Sequence, residues 1–538
     1  MPTYFVIALM GLPLLGTLIG LLLTKTTRSY SVAWAARPLA AALTVIVAWV
    51  VHGATFEIAL GNWGPVSVTG APLILASSPS AGVILIAVAI VQLAGALHPR
   101  EVGVRAHHIT IALLFSALAL TALSNTLLTL IIGIGLVDIL SIVTGIQRGR
   151  ESQRVMADAM FQGASSALLV VGLALHVAVG NSAYIPMSNV SERLMGFMSV
   201  ALALRFGLAP LRAIAGQFHD AHWTSQAPAI SGLIVLAKLP TLDAPQPPLW
   251  FFGLALLTGT LSGFIGGITQ RRSLLRAALC SSALSLAICA ATLQEAGSVA
   301  LATLNWLAGC QLAATVPSDV STFGQRAALV GRIGGALSLI GLPLTAGFIG
   351  RAGIAASWVD HNEIGIILLI GLALVQVLLT LGALRLAFAP TSATPYPAPL
   401  ASIGAMKLSL GLPILATVTL GAHILAFGIA PGLASAPDLI TALNRNTPAG
   451  WAIWLGPTLI GALLWWFEAR WSRFFARHRQ HLYNVIGFSW LHTVLDGAVR
   501  RLGWPLSRVF PLLEGSSALL WTVVIVLILV LVARPGSP

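Results

Sequence analysis

The chain has 538 residues, 57% hydrophobic and only 8% charged, with a formal net charge of +13 and a mean hydropathy of +0.92. A soluble globular protein carries about 25% charged residues, so this composition excludes that class. Apolar runs near twenty residues recur along the whole length, each long enough to cross a hydrocarbon core of about 30 Å. The short alternating segments of a transmembrane barrel are absent from the sequence. The three cysteines, Cys280, Cys289 and Cys310, lie in or beside apolar segments without CxxC or Cys/His ligand spacing. The sequence therefore predicts no disulfide, zinc or iron–sulfur site and no other metal. It carries no P-loop and no GxGxxG joining a strand to a helix.

In chain order, hydropathy predicts helices at 4–24, 33–51, 81–97, 107–123, 124–146, 159–180, 192–215 and 227–243. It continues with 248–268, 273–293, 298–318, 330–356, 363–388, 408–433, 451–467 and 517–533. The first lacks a basic n-region and a clear cleavage site, and reads as an uncleaved span. Assigning the loops to alternate sides puts 23 of the 29 basic residues on one face. That is the positive-inside pattern, with both termini outside. It also explains the net charge without nucleic acid: the basic residues are membrane-side anchors.

Two proline-rich joints, Ala244-Pro-Gln-Pro-Pro248 and Ala389-Pro-Thr-Ser-Ala-Thr-Pro-Tyr-Pro-Ala-Pro399, bracket five helices. The predicted organisation is an N-terminal region 1–106, a five-helix set 107–243, and a second five-helix set 248–388. Helices at 400–467, an interfacial stretch 468–515 and a last span with its tail, 517–538, complete it. In each set the fourth helix is broken at a proline, Pro210 or Pro343, and carries an arginine, Arg205 or Arg351. An odd number of helices per set implies opposite orientations, and broken helices at matching positions of inverted repeats point to a transport path. The expected fold is thus an all-α polytopic membrane protein of about 14–16 transmembrane helices. Gly259, Gly263 and Gly267 form a close-packing face, either an ordinary helix contact or a scaffold for the repeat interface. Within 468–515, Leu491, Val494, Leu495 and Ala498 oppose His492, Asp496 and Arg500, the pattern of an amphipathic helix on the inner surface.

Charges at bilayer depth cost at least about 2.5–3.5 kcal/mol on insertion scales, so those that occur are the candidate site. Lys238 lies ten residues past Pro228, about 15 Å along the helix, which predicts a midplane position. Asp138 lies ten residues before Arg148, also about 15 Å deep. Arg205 is seven residues before Arg212, and Arg351 is nearer the outer face. With His219 and His222 flanking Asp220 in the inner turn, these residues fit a proton relay. The plainer reading is a structural Asp138–Arg205 ion pair, an outward-reaching Arg351 and solvated histidines. Arginine almost never deprotonates, so Arg205 and Arg351 would bias neighbours rather than shuttle protons.

At these residues the sequence resembles the antiporter-like subunits of respiratory complex I, shared with multisubunit sodium/proton antiporters and membrane-bound hydrogenases. The resemblance covers roughly residues 55–390. Asp220-Ala-His-Trp-Thr-Ser-Gln-Ala-Pro228 looks like the family's DAH-SQAP turn with two extra residues. Ser338-Leu-Ile-Gly-Leu-Pro-Leu-Thr-Ala-Gly-Phe-Ile-Gly-Arg351 looks like its SLxGIPPTAGFIGK segment, and Asn125-Thr-Leu-Leu-Thr-Leu like its NLLLM opening. The resemblance implies a coupling pair of fifth-helix glutamate and seventh-helix lysine, then lysines or a glutamate on the eighth and twelfth helices. By position, Lys238 is the eighth-helix lysine, while Arg205 and Arg351 replace the seventh- and twelfth-helix residues. The glutamate position falls near Gly135, with Asp138 one turn along.

The resemblance implies a non-redox membrane subunit of a complex I-like energy-converting assembly, contributing a proton path or a degenerate remnant of one. The whole would be an oxidoreductase or hydrogenase of the NADH- or ferredoxin-driven kind. This chain would bind no cofactor and hold no catalytic residue, with the redox centres in partner subunits. Two alternatives stand beside it. One is a non-pumping anchor for a soluble partner, as in an inorganic-carbon uptake complex with a hydratase-type subunit. The other is a stand-alone cation/proton antiporter. The expected location is a bacterial-type energy-coupling inner membrane.

Overall fold

The computed structural model describes residues 2–26, 30–53, 56–62, 72–97, 105–150, 152–178, 190–208, 223–239 and 247–292. It also describes 296–313, 322–342, 345–348, 351, 366–388, 414 and 448–468. These residues form fourteen helices and one hairpin. The helices are α1 (Pro2–Thr26), α2 (Tyr30–Gly53), α3 (Pro79–Leu97), α4 (Arg105–Leu123), α5 (Leu127–Gln147), α6 (Ser152–Ala178) and α7 (Glu192–Phe206). They continue as α8 (Trp223–Lys238), α9 (Leu249–Ile268), α10 (Arg272–Thr292), α11 (Ala296–Ala313), α12 (Thr322–Ile340), α13 (Ile366–Phe388) and α14 (Pro448–Trp466). Each overlaps one predicted helix, in the same order. The expected helices at 408–433 and 517–533, and the interfacial stretch after 468, lie outside the described residues.

Six helices are by themselves long and apolar enough to cross a membrane, with spans in α1, α5, α6, α9, α10 and α13. Their outward faces are apolar too: Leu18, Leu22, Ile139, Met160, Val170 and Ile370 are all exposed. A water-soluble protein does not display such faces, and the chain is a multi-pass membrane protein.

The hairpin is an addition to the predicted all-helical architecture. Strands β1 (Glu57–Asn62) and β2 (Pro72–Ala76) pair antiparallel. The hairpin lies over the α4–α5 turn, where Leu75 bridges to Ser124 and the Asn125 amide donates to the Ile74 carbonyl at 3.1 Å.

Local chemistry fixes the helix ends around this turn. The Thr126 side chain accepts from the Thr129 amide, capping the N-terminus of α5. Ser191 does the same for α7 through the Leu194 amide, with Glu192 in the first turn where the helix dipole favours an acid.

Helices α7 and α12 stop in the same way. Gly207 at φ 60° and Gly341 at φ 78° take the left-handed conformation. Leu208 and Leu342 then donate back to Ala203 and Leu337, five residues earlier, and each glycine donates three residues back, to Leu204 or Ser338. This is the Schellman termination, which satisfies carbonyls that would otherwise face lipid. The stops therefore precede Pro210 and Pro343, which both lie outside the described residues.

Helix α8 is the axis of the molecule. All of its residues except Ser225 are buried, and it packs against α3, α4, α5, α7, α10 and α11. It thus contacts helices that come before it in the chain and helices that come after it. Gly259, Gly263 and Gly267 make an ordinary helix contact. They seat α9 against α10 and α13 of its own set, facing Ser285 and Val375, then Leu378, then Leu381. A Cβ at position 263 would lie 2.7 Å from that of Leu378. Gly263→Val should cost about 1–3 kcal/mol by overpacking, read as a lowered Tm of the solubilised protein.

Candidate functional site along the central helix

Three polar stations follow α8 from one end to the other. The first surrounds Trp223, where α8 begins. A small cavity there, about 30 Å³, is lined by Thr17, Arg37, Gln92, His108 and Trp223 among apolar neighbours. Two residues further on, Arg150 donates to the Ser225 hydroxyl and is paired with Asp158 at 3.5 Å.

The second station is the ion pair between α5 and α7. Arg205 Nη1 donates to Asp138 Oδ1 at 2.8 Å and Nη2 to Oδ2 at 2.7 Å. This two-pronged geometry matches the planar guanidinium to the carboxylate. Ser231 of α8 accepts from Nη1 at 2.9 Å. Ser166 of α6 donates to Asp138 Oδ2 at 2.6 Å and accepts from Nη2 at 3.2 Å. Asp138 is 5% exposed and Arg205 3%. Both charges are therefore out of water, and their stability rests on this network, which engages both terminal nitrogens of Arg205 but not its Nε. The ion-pair reading of Asp138 and Arg205 is the observed one. A Cβ added at Gly135 meets nothing within 4 Å, so Asp138 is the α5 residue that turns its carboxylate to Arg205.

The third station is Lys238, the last residue of α8. Its ammonium donates to the Ser124 carbonyl, to the Ser124 hydroxyl at 3.3 Å and to the Thr121 carbonyl at 3.5 Å. A cation here complements the negative end of α4. Lys238 thus lies against the α4–α5 turn that the hairpin covers. Ser231 and Lys238 are seven residues apart on one helix, about 10 Å, so the ion pair and the lysine are neighbours along α8 without touching. The helix that carries Lys238 starts earlier than the expected residue 227. Proline is favoured in a first turn, which suggests a start near Pro228, but α8 begins at Trp223 and carries Pro228 inside it.

The second set is built differently. Arg351 is 7% exposed, so it does not reach outward to solvent. It folds back to donate to the Leu339 carbonyl at the end of α12, over Gly341, whose missing side chain leaves the space that the guanidinium fills. Gln376 of α13 donates to the next carbonyl, Ile340, at 3.0 Å and to Thr458 of α14 at 3.0 Å. Ser338 donates to Asn305 of α11 at 2.6 Å. Arg351 and the Asp138–Arg205 pair thus belong to separate clusters. His219 and His222 lie outside the described residues.

Sequence reasoning missed Ser166, Ser231, Ser124 and Gln376. One signal was available: Ser231 lies two helical turns before Lys238, on the same face. Ser166 and Gln376 carry no mark that separates them from other polar residues in apolar helices.

No family model and no curated protein matches the sequence. Solved structures do. A chain of the Mrp complex from Dietzia sp. DQ12-45-1b matches at a TM-score of 0.71 and 15% identity, over 100% of this chain and 63% of that one. The present chain thus spans less than two thirds of that Mrp chain. A chain of respiratory complex I from Thermus thermophilus, solved with bound aureothin, matches at 0.61 and 17% identity, over 80% of this chain and 100% of that one. A chain of the membrane-bound sulfane sulfur reductase, an archaeal respiratory membrane complex, matches at 0.65 and 16%, over 98% and 99%. The fold is that of the membrane chains of these energy-converting complexes.

Proposed function

We propose that this chain is a membrane subunit of a complex I-like energy-converting assembly and contributes a proton path that follows α8. The observation that carries the proposal is the spacing of polar groups on one buried helix, from the Trp223 end through Ser231 to Lys238. Buried polar and charged residues in a membrane bundle mark ion pathways more often than packing, and the fold shared with three such complexes supports that choice. In this reading the two five-helix sets are inverted repeats. Both termini face outward across a bacterial-type inner membrane, and the redox chemistry belongs to soluble partner subunits. Lys238 is the group that exchanges protons. Asp138 and Arg205 set the field at the middle of the path, since an arginine keeps its proton.

The test is coupled proton uptake by vesicles carrying the native assembly, with Lys238→Ala and Lys238→Arg. Both variants should bring proton movement to background. Lys238→Arg retains the cation at the end of α4, so its stability should stay near wild type. Undiminished pumping in either variant rejects Lys238 as the exchanging group.

A second reading, a non-pumping scaffold that anchors a soluble partner, is favoured by one observation. Two of the buried cations, Arg205 and Arg351, are of the residue type that holds its proton permanently. Under that reading the wild-type assembly itself moves no protons, and a hydratase-type subunit co-purifies in place of flavin or iron–sulfur subunits.

A further inference from the structure

We propose that Arg351 holds a small monovalent anion within the second five-helix set. The starting point is charge balance. Between 248 and 388 the acidic residues are Glu295, Asp319, Asp360 and Glu363. All four fall in segments outside the described residues, so the described helices of this set contain no carboxylate. The first set buries its arginine against Asp138, Ser166 and Ser231. The second buries Arg351 to 7% exposure with one hydrogen bond, from Nη2 to the Leu339 carbonyl. Its Nη1 is buried without a hydrogen-bond partner.

A guanidinium stays charged, and a buried unpaired charge is strongly destabilising. The carbonyl end of α12 supplies about half a negative charge, which leaves the rest to be met. An anion on Nη1 supplies both the missing charge and the missing acceptor. Gly341 removes the side chain that would occupy the guanidinium's place. Ser338 donates to the Asn305 side-chain carbonyl, and Gln376 turns its amide to Ile340 and Thr458, so neither Ser338 nor Gln376 is bonded to the cation. With Nη2 engaged, the free part of the fork presents one N–H edge. That favours a halide- or formate-sized ion over a bulky organic anion. The proposal does not depend on whether protons pass along α8.

The experiment uses the full chain, solubilised and in its native assembly, at constant ionic strength. Chloride, bromide and formate are compared with gluconate as sodium salts. The expected result is a saturable rise in Tm with a small anion over gluconate, and retention of about one radiolabelled chloride per chain under mass action. A response to formate without halide assigns the site to planar carboxylates; a response to halide assigns it to spherical ions. Arg351→Gln should abolish both the shift and the retention, whereas Arg271→Gln, at an exposed position, should change neither. Equal Tm in all four salts with no retained chloride overturns the proposal using wild-type protein alone, even if the Arg351 variant does not fold. So does loss of retention in Arg271→Gln with retention intact in Arg351→Gln.

Discussion

Replacing Asp138 with alanine should destabilise the protein by about 3–5 kcal/mol, because it strands the Arg205 guanidinium in the bundle interior. The substitution removes two charge-assisted hydrogen bonds at 2.8 and 2.7 Å and the acceptor of the Ser166 hydroxyl. Ser231 and Ser166 remain as neutral partners and offset only part of that loss. Removing both charges together should be far milder, since an apolar pair of similar volume needs no desolvation. Asp138→Leu with Arg205→Met should therefore recover most of the stability that either single change loses. The measurement is a double-mutant cycle on unfolding free energy, with an interaction term at the upper end of the usual 0.5–3 kcal/mol range. Strict additivity would mean that the two side chains do not meet in the folded protein. The same cycle read on proton uptake separates packing from mechanism. A double variant that folds well and still pumps assigns the pair to structure alone, whereas one that folds well and is silent assigns it to the path.

The sequence was most legible where physics acts over a long window. Twenty-residue apolar runs separated by basic turns placed fourteen of the described helices in order, because a hydrocarbon core leaves the backbone few other options. The Asp138–Arg205 pair was legible for the same reason: a buried acid and a buried base at similar depth each need a partner. What escaped was short or depended on where a helix begins. The hairpin Glu57–Ala76 lies between spans, and its short strands, with Gly61, Gly64-Pro65 and Gly70 between their apolar runs, signal a turn only when tertiary support is known. The start of α8 was placed too late, since five residues before Pro228 already belong to it. The stops of α7 and α12 were assigned to proline, although Gly207 and Gly341 end both helices earlier. Whether a glycine adopts positive φ is decided by the carbonyls it leaves to be capped, and composition does not show that.

Gly341 is the position where backbone and charge meet, and Gly341→Ala should be strongly disruptive. At φ 78° an alanine pays about 1–2 kcal/mol for the left-handed conformation alone. Its Cβ would also lie 2.5 Å from Arg351 Nη1 and 3.0 Å from Cδ, so the guanidinium must shift from its place at the end of α12. The Leu339 carbonyl then loses its donor inside the bundle, which adds about 1–3 kcal/mol. Gly135→Ala provides the contrast. That glycine is helical, with nothing within 4 Å of an added Cβ, and the change should stabilise α5 by about 0.5–1 kcal/mol. Tm of the two variants should therefore move in opposite directions from wild type. A Gly341→Ala protein as stable as wild type would show that the left-handed turn and the buried arginine above it are not what ends α12. The second half of the molecule would then have to hold its arginine by other means.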